Sequence, residues 1–320
     1  MSLRGGIDVG GTKLQAVVVD ATDTVLGSAR RPTPSSGGPP AVVAAMGEAM
    51  AEAAAAAGVE PADLEGIGVG CPGQVDVAKG TVARAGNLPD WAESYPLASA
   101  LAETQGTRIA LGNDVTVATE AEFALGAGRP FPSLLGVFWG TGVGGGLILD
   151  GAPWFGRGGA GEIGHMVVER GGERCPCGRL GCLEAYAGRG AMEARARRMH
   201  AAGEKTQLFA LMRKRGRTRL TSGVWARALK QKDALAVKLI DDAVDALGAG
   251  IASSVNLLDV EAVIIGGGLG DRLGQPYVER IAAAMLPHLF ADDDPPAVRL
   301  NALGDLGGAL GAALLVRVAA

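Results

Sequence analysis

The apolar residues near the start of the chain form two short runs rather than a helical pattern. Residues 5–9 and 14–19 carry Ile, Leu and Val, and residues 10–13 (GGTK) separate them. A glycine pair between two β-branched runs is typical of a β-hairpin. The same pattern returns at residues 134–149, around residues 140–146 (GTGVGGG). We therefore predict two hairpins with glycine-rich turns, and they are the only internal repeat that the sequence shows.

The rest of the chain alternates between short apolar runs and longer amphipathic or alanine-rich segments. The predicted strands are residues 67–70, 109–111 and 262–265, and the predicted helices are residues 41–57, 115–125, 193–202, 233–257 and the segment after Asp305. Alternating strands and helices are typical of layered α/β folds. Because 320 residues exceed what one core commonly supports, we expect two domains.

The composition and charge exclude several classes of protein. The net charge of −4 gives no electrostatic reason to expect nucleic acid or an acidic membrane as a partner. Glu48 and Glu52, or the glycines of residues 140–146, interrupt the most apolar windows, so we expect no membrane-spanning segment. The first residues lack the apolar stretch of a signal sequence, so we expect a cytoplasmic protein. Two basic segments, residues 195–200 and 213–219, are interpreted as solvated surface.

Three of the four cysteines lie within residues 175–182 (CPCGRLGC), and a histidine precedes them. Thiolate and imidazole are the ligands that Zn²⁺ prefers, and three sulfurs with one nitrogen complete a tetrahedral shell. A closed shell leaves no place for a reactive water, so we predict a structural zinc site. Buried free thiols are the alternative, which the interspersed glycines and proline disfavour. Glu162 and Glu184 flank the cluster and suggest that the metal holds something polar in place. The candidate ligands are His165, Cys175, Cys177 and Cys182.

The two glycine-rich turns are candidate phosphate-binding loops. A turn of Gly and Thr lets backbone N–H groups approach phosphate oxygens, Lys13 adds a positive charge, and Asp8 can hold Mg²⁺ through water. An ordinary tight turn is the alternative for either segment alone, but two turns of one type favour phosphate binding. Neither matches a P-loop or a dinucleotide fingerprint. Residues 266–268 (GGG) fit either close approach by a flat ring or a plain strand-to-helix turn.

Asn113 and Asp114 lie where a predicted strand becomes a helix. An aspartate at this position commonly caps the helix. If Asp114 faces a cleft instead, its carboxylate can accept a proton from a substrate hydroxyl. The sequence leaves both alternatives open.

Several of these motifs together resemble a known family. Residues 8–13 (DVGGTK), followed by residues 140–146, resemble the two phosphate loops of the actin-like sugar kinases. Residues 162–165 (EIGH) and 175–184 (CPCGRLGCLE) narrow the resemblance to the ROK family of repressors and sugar kinases, over essentially the whole chain. Residues 86–91 (GNLPDW) resemble the sugar-binding loop of that family's bacterial glucokinases.

The resemblance implies two actin-like (ribonuclease H-like) α/β domains around an interdomain cleft that takes a sugar and ATP. The first domain is expected to comprise residues 1–115 with residues 306–320, and the second residues 116–305. Family repressors carry an N-terminal helix-turn-helix, whereas here the first phosphate loop comes at once, which favours a kinase. The family also leads us to expect a homodimer or homotetramer. Residues 138–139, which are bulky, and residues 203–222, which are long and basic, depart from the family pattern on the donor side.

The resemblance also assigns expected roles. Asp114 corresponds to the catalytic base, and the histidine and three cysteines correspond to the zinc ligands. The expected sugar contacts are Gly73, Asn87, Asn113, Glu162, His165 and Glu184. The expected donor-binding residues are Asp8, Gly10, Gly11, Thr12, Lys13, Gly140, Thr141, Gly142, Gly144, Gly267 and Gly268. The expected cofactors are Mg²⁺ with ATP and a structural Zn²⁺.

The expected reaction is transfer of the γ-phosphoryl group of ATP to the 6-hydroxyl of glucose. With one ring nitrogen of His165 on zinc, the other becomes a fixed donor to the sugar, between Glu162 and Glu184. Kinases for N-acetylglucosamine, N-acetylmannosamine or fructose stay open as alternatives, as does polyphosphate as the donor. A sugar-binding regulator without catalysis would lack the base or the phosphate loops, and this chain has both.

Overall fold

The computed structural model describes residues 2–318 and divides the chain into two compact units. The first unit runs to Gly126 and includes the segment from Leu303 onward, and the second spans Ala127–Ala302. Among the described residues, no helix is both long and apolar enough to cross a membrane.

Each unit combines strands and helices, and short 3₁₀ turns connect some of them. The strands of the first unit are β1 (Arg4–Val9), β2 (Lys13–Val19), β3 (Val25–Pro32), β4 (Ile67–Cys71), β5 (Gln74–Asp76), β6 (Thr81–Ala83) and β7 (Ile109–Asn113). Those of the second unit are β8 (Leu134–Trp139), β9 (Val143–Leu149), β10 (Ala152–Pro153), β11 (Ala262–Gly266) and β12 (Ala297–Leu300). The helices of the first unit are α1 (Gly38–Ala56), α2 (Leu97–Gln105), α3 (Asp114–Leu125) and, at the end of the chain, α11 (Gly307–Val318). Those of the second unit are α4 (Leu183–Ala187), α5 (Arg189–Ala201), α6 (Leu208–Lys214), α7 (Ser222–Lys230), α8 (Ala234–Leu258), α9 (Gly267–Leu273) and α10 (Gln275–Met285).

Both units contain a five-stranded sheet with the same order of strands. The orders are β3-β2-β1-β4-β7 and β10-β9-β8-β11-β12. In each sheet the hairpin strands are antiparallel neighbours, and the last two strands run parallel to the first strand of the hairpin. The α/β prediction and both hairpins are therefore confirmed. The repeat that the sequence shows in the hairpins extends to the whole sheet.

Helix α1 illustrates how local sequence sets an element's start. The helix begins at Gly38, earlier than the predicted residue 41, and its first turn contains Pro39 and Pro40. Proline suits this position because the first helical N–H groups have no partner within the helix and its φ is already helical. The buried face of α1, which includes Met46 and Met50, packs on the first sheet.

Helix α11 packs closely on the first sheet because glycines face it. A Cβ atom at Gly6 would overlap the carbonyl oxygen of Ala309, and one at Gly68 would overlap that of Ala312. Helix α11 also packs against α3, and both belong to the first unit. The first domain was expected to end at residue 115, within α3, whereas the compact first unit continues to Gly126.

The second unit is built around the 25-residue helix α8, which packs on α4 and α10. Asp233 caps this helix by accepting a hydrogen bond from the Ala236 backbone N–H at 2.9 Å. Trp139 is fully buried in the same core and donates from Nε1 to the carbonyl oxygen of Ala187 at 2.7 Å. The bulky residue before the second glycine-rich turn therefore ties β8 to the end of α4.

Candidate active site and metal centre

Carboxylates and a thiol gather at one edge of the first sheet, where the parallel strands β1, β4 and β7 end. Asp8 pairs with Gly70 in register, and Cys71 pairs with Asn113. Burial raises the pKa of the Cys71 thiol, and the carboxylates of Asp114 and Asp8 raise it further. Open α/β sheets commonly bind ligands outside the carboxyl ends of their strands. We call this region the carboxyl edge of the first sheet.

Asn113, not Asp114, caps helix α3. The Asn113 Oδ1 atom accepts hydrogen bonds from the backbone N–H groups of Val115 at 3.1 Å and Thr116 at 3.2 Å. Asp114 is the first residue of the helix, is half-buried, and accepts from the Val115 N–H through Oδ1 at 3.0 Å. Asp114 therefore does not cap the helix, which was one of the two roles that the sequence left open for it, because Asn113 is the cap.

Asp8 lies in a confined position at the end of β1. A Cβ atom at Gly308 of α11 would lie 2.6 Å from the Asp8 carboxyl carbon. Desolvation raises the pKa of Asp8 to about 6, while the nearby Lys13 lowers it and Asp305 raises it. At neutral pH the carboxylate is thus mostly ionised, and it carries the charge that a hydrated cation requires. The ammonium of Lys13 pairs with Asp305 at 2.9 Å.

The first glycine-rich turn and the loop around Asn87 lie side by side in the first unit. The Gly10 N–H donates to the Lys13 carbonyl at 2.9 Å and closes the turn, which leaves Gly11 and Thr12 exposed. A Cβ atom at Gly11 would lie 2.8 Å from the carbonyl oxygen of Asn87. The structure therefore brings together an expected donor loop and an expected sugar loop.

The Asn87 loop has a rigid anchor. Trp91 is buried and donates from Nε1 to the Val82 carbonyl at 3.0 Å, whereas Asn87 is exposed. Gly73, between β4 and β5, has a φ of 98°. This left-handed conformation favours glycine, and a Cβ atom there would lie 2.6 Å from the carbonyl oxygen of Ala83. Gly73 therefore serves a sharp turn next to the carboxyl edge.

The four candidate zinc ligands converge in the second unit. Their ligand atoms all lie within 4.8 Å of one another. The Sγ atoms of Cys177 and Cys182 are 3.8 Å apart, and the Cys175 Sγ is 3.9 Å from the Nδ1 of His165. Tetrahedral zinc with bonds of about 2.3 Å requires ligand separations of about 3.8 Å, so the residues fit the ion.

The local electrostatics favour a thiolate in this cluster. Although desolvation acts to raise the pKa of Cys177, hydrogen bonds from the Arg179 backbone and from the Cys175 and Cys182 thiols lower it to about 7. The thiolate is the form that binds a metal ion. The exposed Cys177 is therefore prepared to ligate at neutral pH.

The flanking glutamates occupy different positions relative to the cluster. The Nε2 atom of His165 lies 3.9 Å from the exposed Glu162 carboxylate, while its Nδ1 faces Cys175. Glu184 lies 3.9 Å from the Cys175 Sγ through Oε1, and its Oε2 accepts from the Val143 N–H at 3.0 Å. Glu184 thus joins the cysteine cluster to the second glycine-rich turn, a link that the sequence did not predict.

The second glycine-rich turn is shorter than predicted. Strand β9 already begins at Val143, so Gly144 lies in the ladder opposite Phe138 rather than in the turn. The sequence prediction placed the second strand of the hairpin only at the apolar residues 147–149. Glycines can also pair in a β-ladder, so the apolar residues alone did not show that the strand begins at Val143. The turn itself closes with a hydrogen bond from the Gly140 N–H to the Gly142 carbonyl at 2.9 Å.

Residues 267–268 at the start of α9 lie beside this turn. A Cβ atom at Gly140 would lie 3.9 Å from the Gly268 nitrogen. Gly267 has a φ of 85°, and a Cβ atom there would lie 2.8 Å from the Trp139 nitrogen. The structure thus unites two segments that the sequence assigned to the donor.

Sequence reasoning missed Arg189, the first residue of α5. Its Nη2 donates to the Thr141 hydroxyl at 2.8 Å, and its Nη1 donates to the Ser222 hydroxyl at 2.9 Å. The only signal in the sequence is an arginine between two glycines, Gly188 and Gly190, which is too common to identify a site.

Residues 4–319 match the ROK family, and the chain belongs to that family. The glucokinase of Thermotoga maritima is 31% identical over 318 residues, which cover 98% of this chain and 96% of that protein. The N-acetylgalactosamine kinase of a Shewanella species is 32% identical and covers 97% of this chain, with 95% of its own length matched.

A solved structure shows the same similarity. The crystal structure of a ROK family glucokinase from Streptomyces griseus, in complex with glucose and AMPPNP, matches with a TM-score of 0.83 and 31% identity. The match covers 99% of this chain and 100% of the Streptomyces griseus chain. The described residues therefore have the fold of the ROK family.

Proposed function

We propose that this protein is an ATP-dependent hexokinase that transfers the γ-phosphoryl group of ATP to the 6-hydroxyl of glucose. Membership of the ROK family and glucokinase relatives at 31% identity support the hexokinase activity. The observation that carries the specific reaction is the pair of carboxylates at the carboxyl edge of the first sheet, Asp8 and Asp114. A sugar kinase needs one carboxylate to receive a proton and another to hold a metal ion.

Asp114 is the proposed general base. A sugar hydroxyl is a weak nucleophile, so a carboxylate takes its proton as the new bond to phosphorus forms. The hydrogen bond from the Val115 N–H orients the Asp114 carboxylate. Asn113, and not Asp114, is the cap of helix α3. Positioning of this kind accounts for much of the rate of phosphoryl transfer.

The glycine-rich turns are proposed to bind the donor. Gly11 and Thr12 are exposed, so their backbone N–H groups can approach phosphate oxygens, and the second turn offers Thr141 in the same way. Lys13 adds positive charge, and Asp8 would hold Mg²⁺ through water. When bound, the ion neutralises charge on the phosphates.

The cysteine cluster is proposed to hold a structural Zn²⁺ that orients the sugar site. With Nδ1 of His165 directed at the cluster, its Nε2 carries the proton and can donate to a sugar hydroxyl. Glu162, whose carboxylate lies beside that nitrogen, is the adjacent acceptor for the sugar. Zinc supplies no chemistry to the transfer, because its four ligands leave no open position.

One other class of sugar competes with glucose as the proposed acceptor. Relatives named N-acetylgalactosamine kinase and N-acetyl-D-glucosamine kinase are 32% and 30% identical, as similar as the glucokinases. The exposed Asn87 in a loop that resembles the glucokinase sugar loop favours glucose. An N-acetylhexosamine is therefore the second candidate for the acceptor.

The test combines a substrate panel with one isosteric variant. Wild-type protein is assayed with glucose, mannose, fructose and the N-acetylhexosamines, using ATP or polyphosphate as donor. We expect the highest kcat/KM for glucose with ATP. Asp114→Asn should retain glucose binding and the thermal unfolding temperature, and should lose about 10²–10⁴-fold in kcat.

The matched control is Asp293→Asn, the same change at an exposed aspartate of the second unit, which should behave as wild type. Turnover by Asp114→Asn close to that of the wild type would rule out the base. A higher kcat/KM for an N-acetylhexosamine would replace glucose as the substrate, and failure to phosphorylate any sugar would favour a regulator.

A further inference from the structure

Arg189 is fastened to the second glycine-rich turn by both its backbone and its side chain. Its N–H donates to the Gly140 carbonyl at 3.2 Å, and the next N–H, of Gly190, donates to the Thr141 carbonyl at 3.0 Å. The guanidinium spans the hydroxyls of Thr141 and Ser222, at 2.8 and 2.9 Å. The side chain is therefore held in one place before any ligand arrives.

The positive charge of Arg189 has no counter-ion in its own unit. Among the described residues, no carboxylate oxygen lies within 4.0 Å of its guanidinium. Glu193 is the carboxylate that acts on the pKa of Arg189, and it already pairs with Arg197 at 2.6 Å and Arg219 at 3.1 Å. Burial lowers the pKa of Arg189, Arg219 lowers it further, and Glu193 opposes both. Even so, a guanidinium stays charged in proteins.

Arg189 is a half-buried cation whose hydrogen-bond partners are two neutral hydroxyls, and an incoming anion would stabilise it. The guanidinium has five N–H donors, and the hydrogen bonds of the described residues use one on each Nη atom. The remaining donors can form a forked pair with phosphate oxygens. Thr141 is exposed, so a ligand can reach the guanidinium from the side of the turn.

The surroundings match a phosphate chain rather than a single small anion. A Cβ atom at Gly140 would lie 3.9 Å from the Gly268 nitrogen, and one at Gly268 would lie 3.9 Å from the Ser222 Oγ. The turn, the start of α9 and Ser222 thus border one region lined by backbone and small side chains. Arg219 also lies beside the turn, since a Cβ atom at Gly190 would lie 3.8 Å from its Nη2, but it already pairs with Glu193. The Glu184 carboxylate lies on the Gly142 side and accepts the Val143 N–H. Arg189 is the positive group of that border without a carboxylate partner.

We propose that Arg189 binds the phosphate chain of the phosphoryl donor, as a specific positive charge of the second unit. This inference rests on the proposed function, because it concerns the donor of that reaction. Arg189 would be an additional residue of the donor site, and it lies outside the motifs by which the sequence resembles the ROK family. Thr141 and Ser222 act as positioning residues, since they hold the guanidinium by its two Nη atoms.

The test measures binding separately from turnover. The affinities of AMPPNP, inorganic tripolyphosphate, adenosine and glucose are determined by calorimetry for the wild type and for Arg189→Gln. We expect AMPPNP and tripolyphosphate to bind about 10–100-fold more weakly to the variant, as for a lost charged hydrogen-bond pair. Adenosine and glucose should bind as they do to the wild type.

Two further variants separate charge from scaffolding. Arg198→Gln, on the exposed side of the same helix, removes a guanidinium that pairs with Glu173 and should leave all four affinities unchanged. Arg189→Lys keeps the charge but loses the forked pair of donors, so it should recover only part of the affinity for tripolyphosphate. Ser222→Ala removes one support and should cost less than Arg189→Gln. Equal losses in Ser222→Ala and Arg189→Gln would mean that Arg189 only braces the turn, and would overturn the proposal.

The outcomes distinguish this inference from the proposed function. If the wild type phosphorylates glucose and Arg189→Gln keeps its affinity for AMPPNP, the inference is wrong and the function stands. If the wild type binds AMPPNP through Arg189 but phosphorylates no hexose, the inference stands and the function is wrong.

Discussion

Glu120 on α3 is a carboxylate whose surroundings disfavour its charge. Its Oε1 is buried and has no hydrogen-bond partner among the described residues. Desolvation raises the pKa of Glu120 from 4.5 to about 7. Because the folded value lies above the unfolded one, the folded state binds more protons between these pH values. The free energy of unfolding therefore falls as the pH rises from about 4.5 to about 7.

We expect Glu120→Gln to remove this pH dependence. The variant should be more stable than the wild type at pH 8 by about 1–3 kcal/mol, since one pKa unit corresponds to about 1.4 kcal/mol. Near pH 4.5 the two proteins should have equal stability. Urea unfolding at both pH values measures the difference, with Glu103→Gln, at an exposed position of α2, as the control. A constant difference at all pH values would contradict the assignment.

Single residues also show where sequence reasoning stops. Asn113 and Asp114 are both good cap residues and lie next to each other, so residue type could not decide which one caps α3. The one-residue offset in backbone conformation decides it, because Asn113 has extended angles and Asp114 is already helical. Likewise, the contact from Glu184 to the Val143 N–H joins residues 41 positions apart, and only the folded chain shows it.

At the scale of elements, long and strongly periodic segments were the most predictable. The helix predicted at residues 233–257 is observed as α8, Ala234–Leu258, because its apolar face repeats over many turns. Strand β3 was missed, since it carries Arg30 and Arg31 on an edge of the sheet and lacks an apolar run. Short elements such as α9 depend on their neighbours, so their pattern alone is weak.

The docking of α11 on the first sheet is an element-scale feature that depends on missing side chains. At Gly68 a Cβ atom would overlap backbone atoms of Ala312, which cannot rotate away. We expect Gly68→Ala to displace α11 and to lower the free energy of unfolding by about 1–3 kcal/mol or more. Gly86→Ala is the control, because a Cβ atom there meets nothing within 4 Å. Chemical denaturation compares the two variants, and equal stabilities would contradict close packing as the reason for the glycine.

At the scale of the whole chain, two sheets of identical strand order carry different chemistry. The first unit places Asp8 and Asp114 at the carboxyl edge of its sheet, whereas the second carries the cysteine cluster. The duplicated hairpins could be seen in the sequence because their turns are local. The tie between the cluster and the second turn could not, because Glu184 makes it through tertiary contacts.

Metal removal tests whether the cluster supports the sugar site as a whole. Cys177 is exposed, so Cys177→Ser changes the core little and should act through the loss of zinc. We expect the wild type to contain one zinc per chain and the variant to lack it. The glucose KM should rise by about 10–100-fold and the Tm should fall, because His165 loses its fixed orientation and the loop loses a crosslink. Wild-type protein stripped with a chelator should behave in the same way and should recover on addition of Zn²⁺, whereas the variant should not recover. Metal analysis that finds fully active protein without zinc would exclude this role, and so would a variant with an unchanged glucose KM.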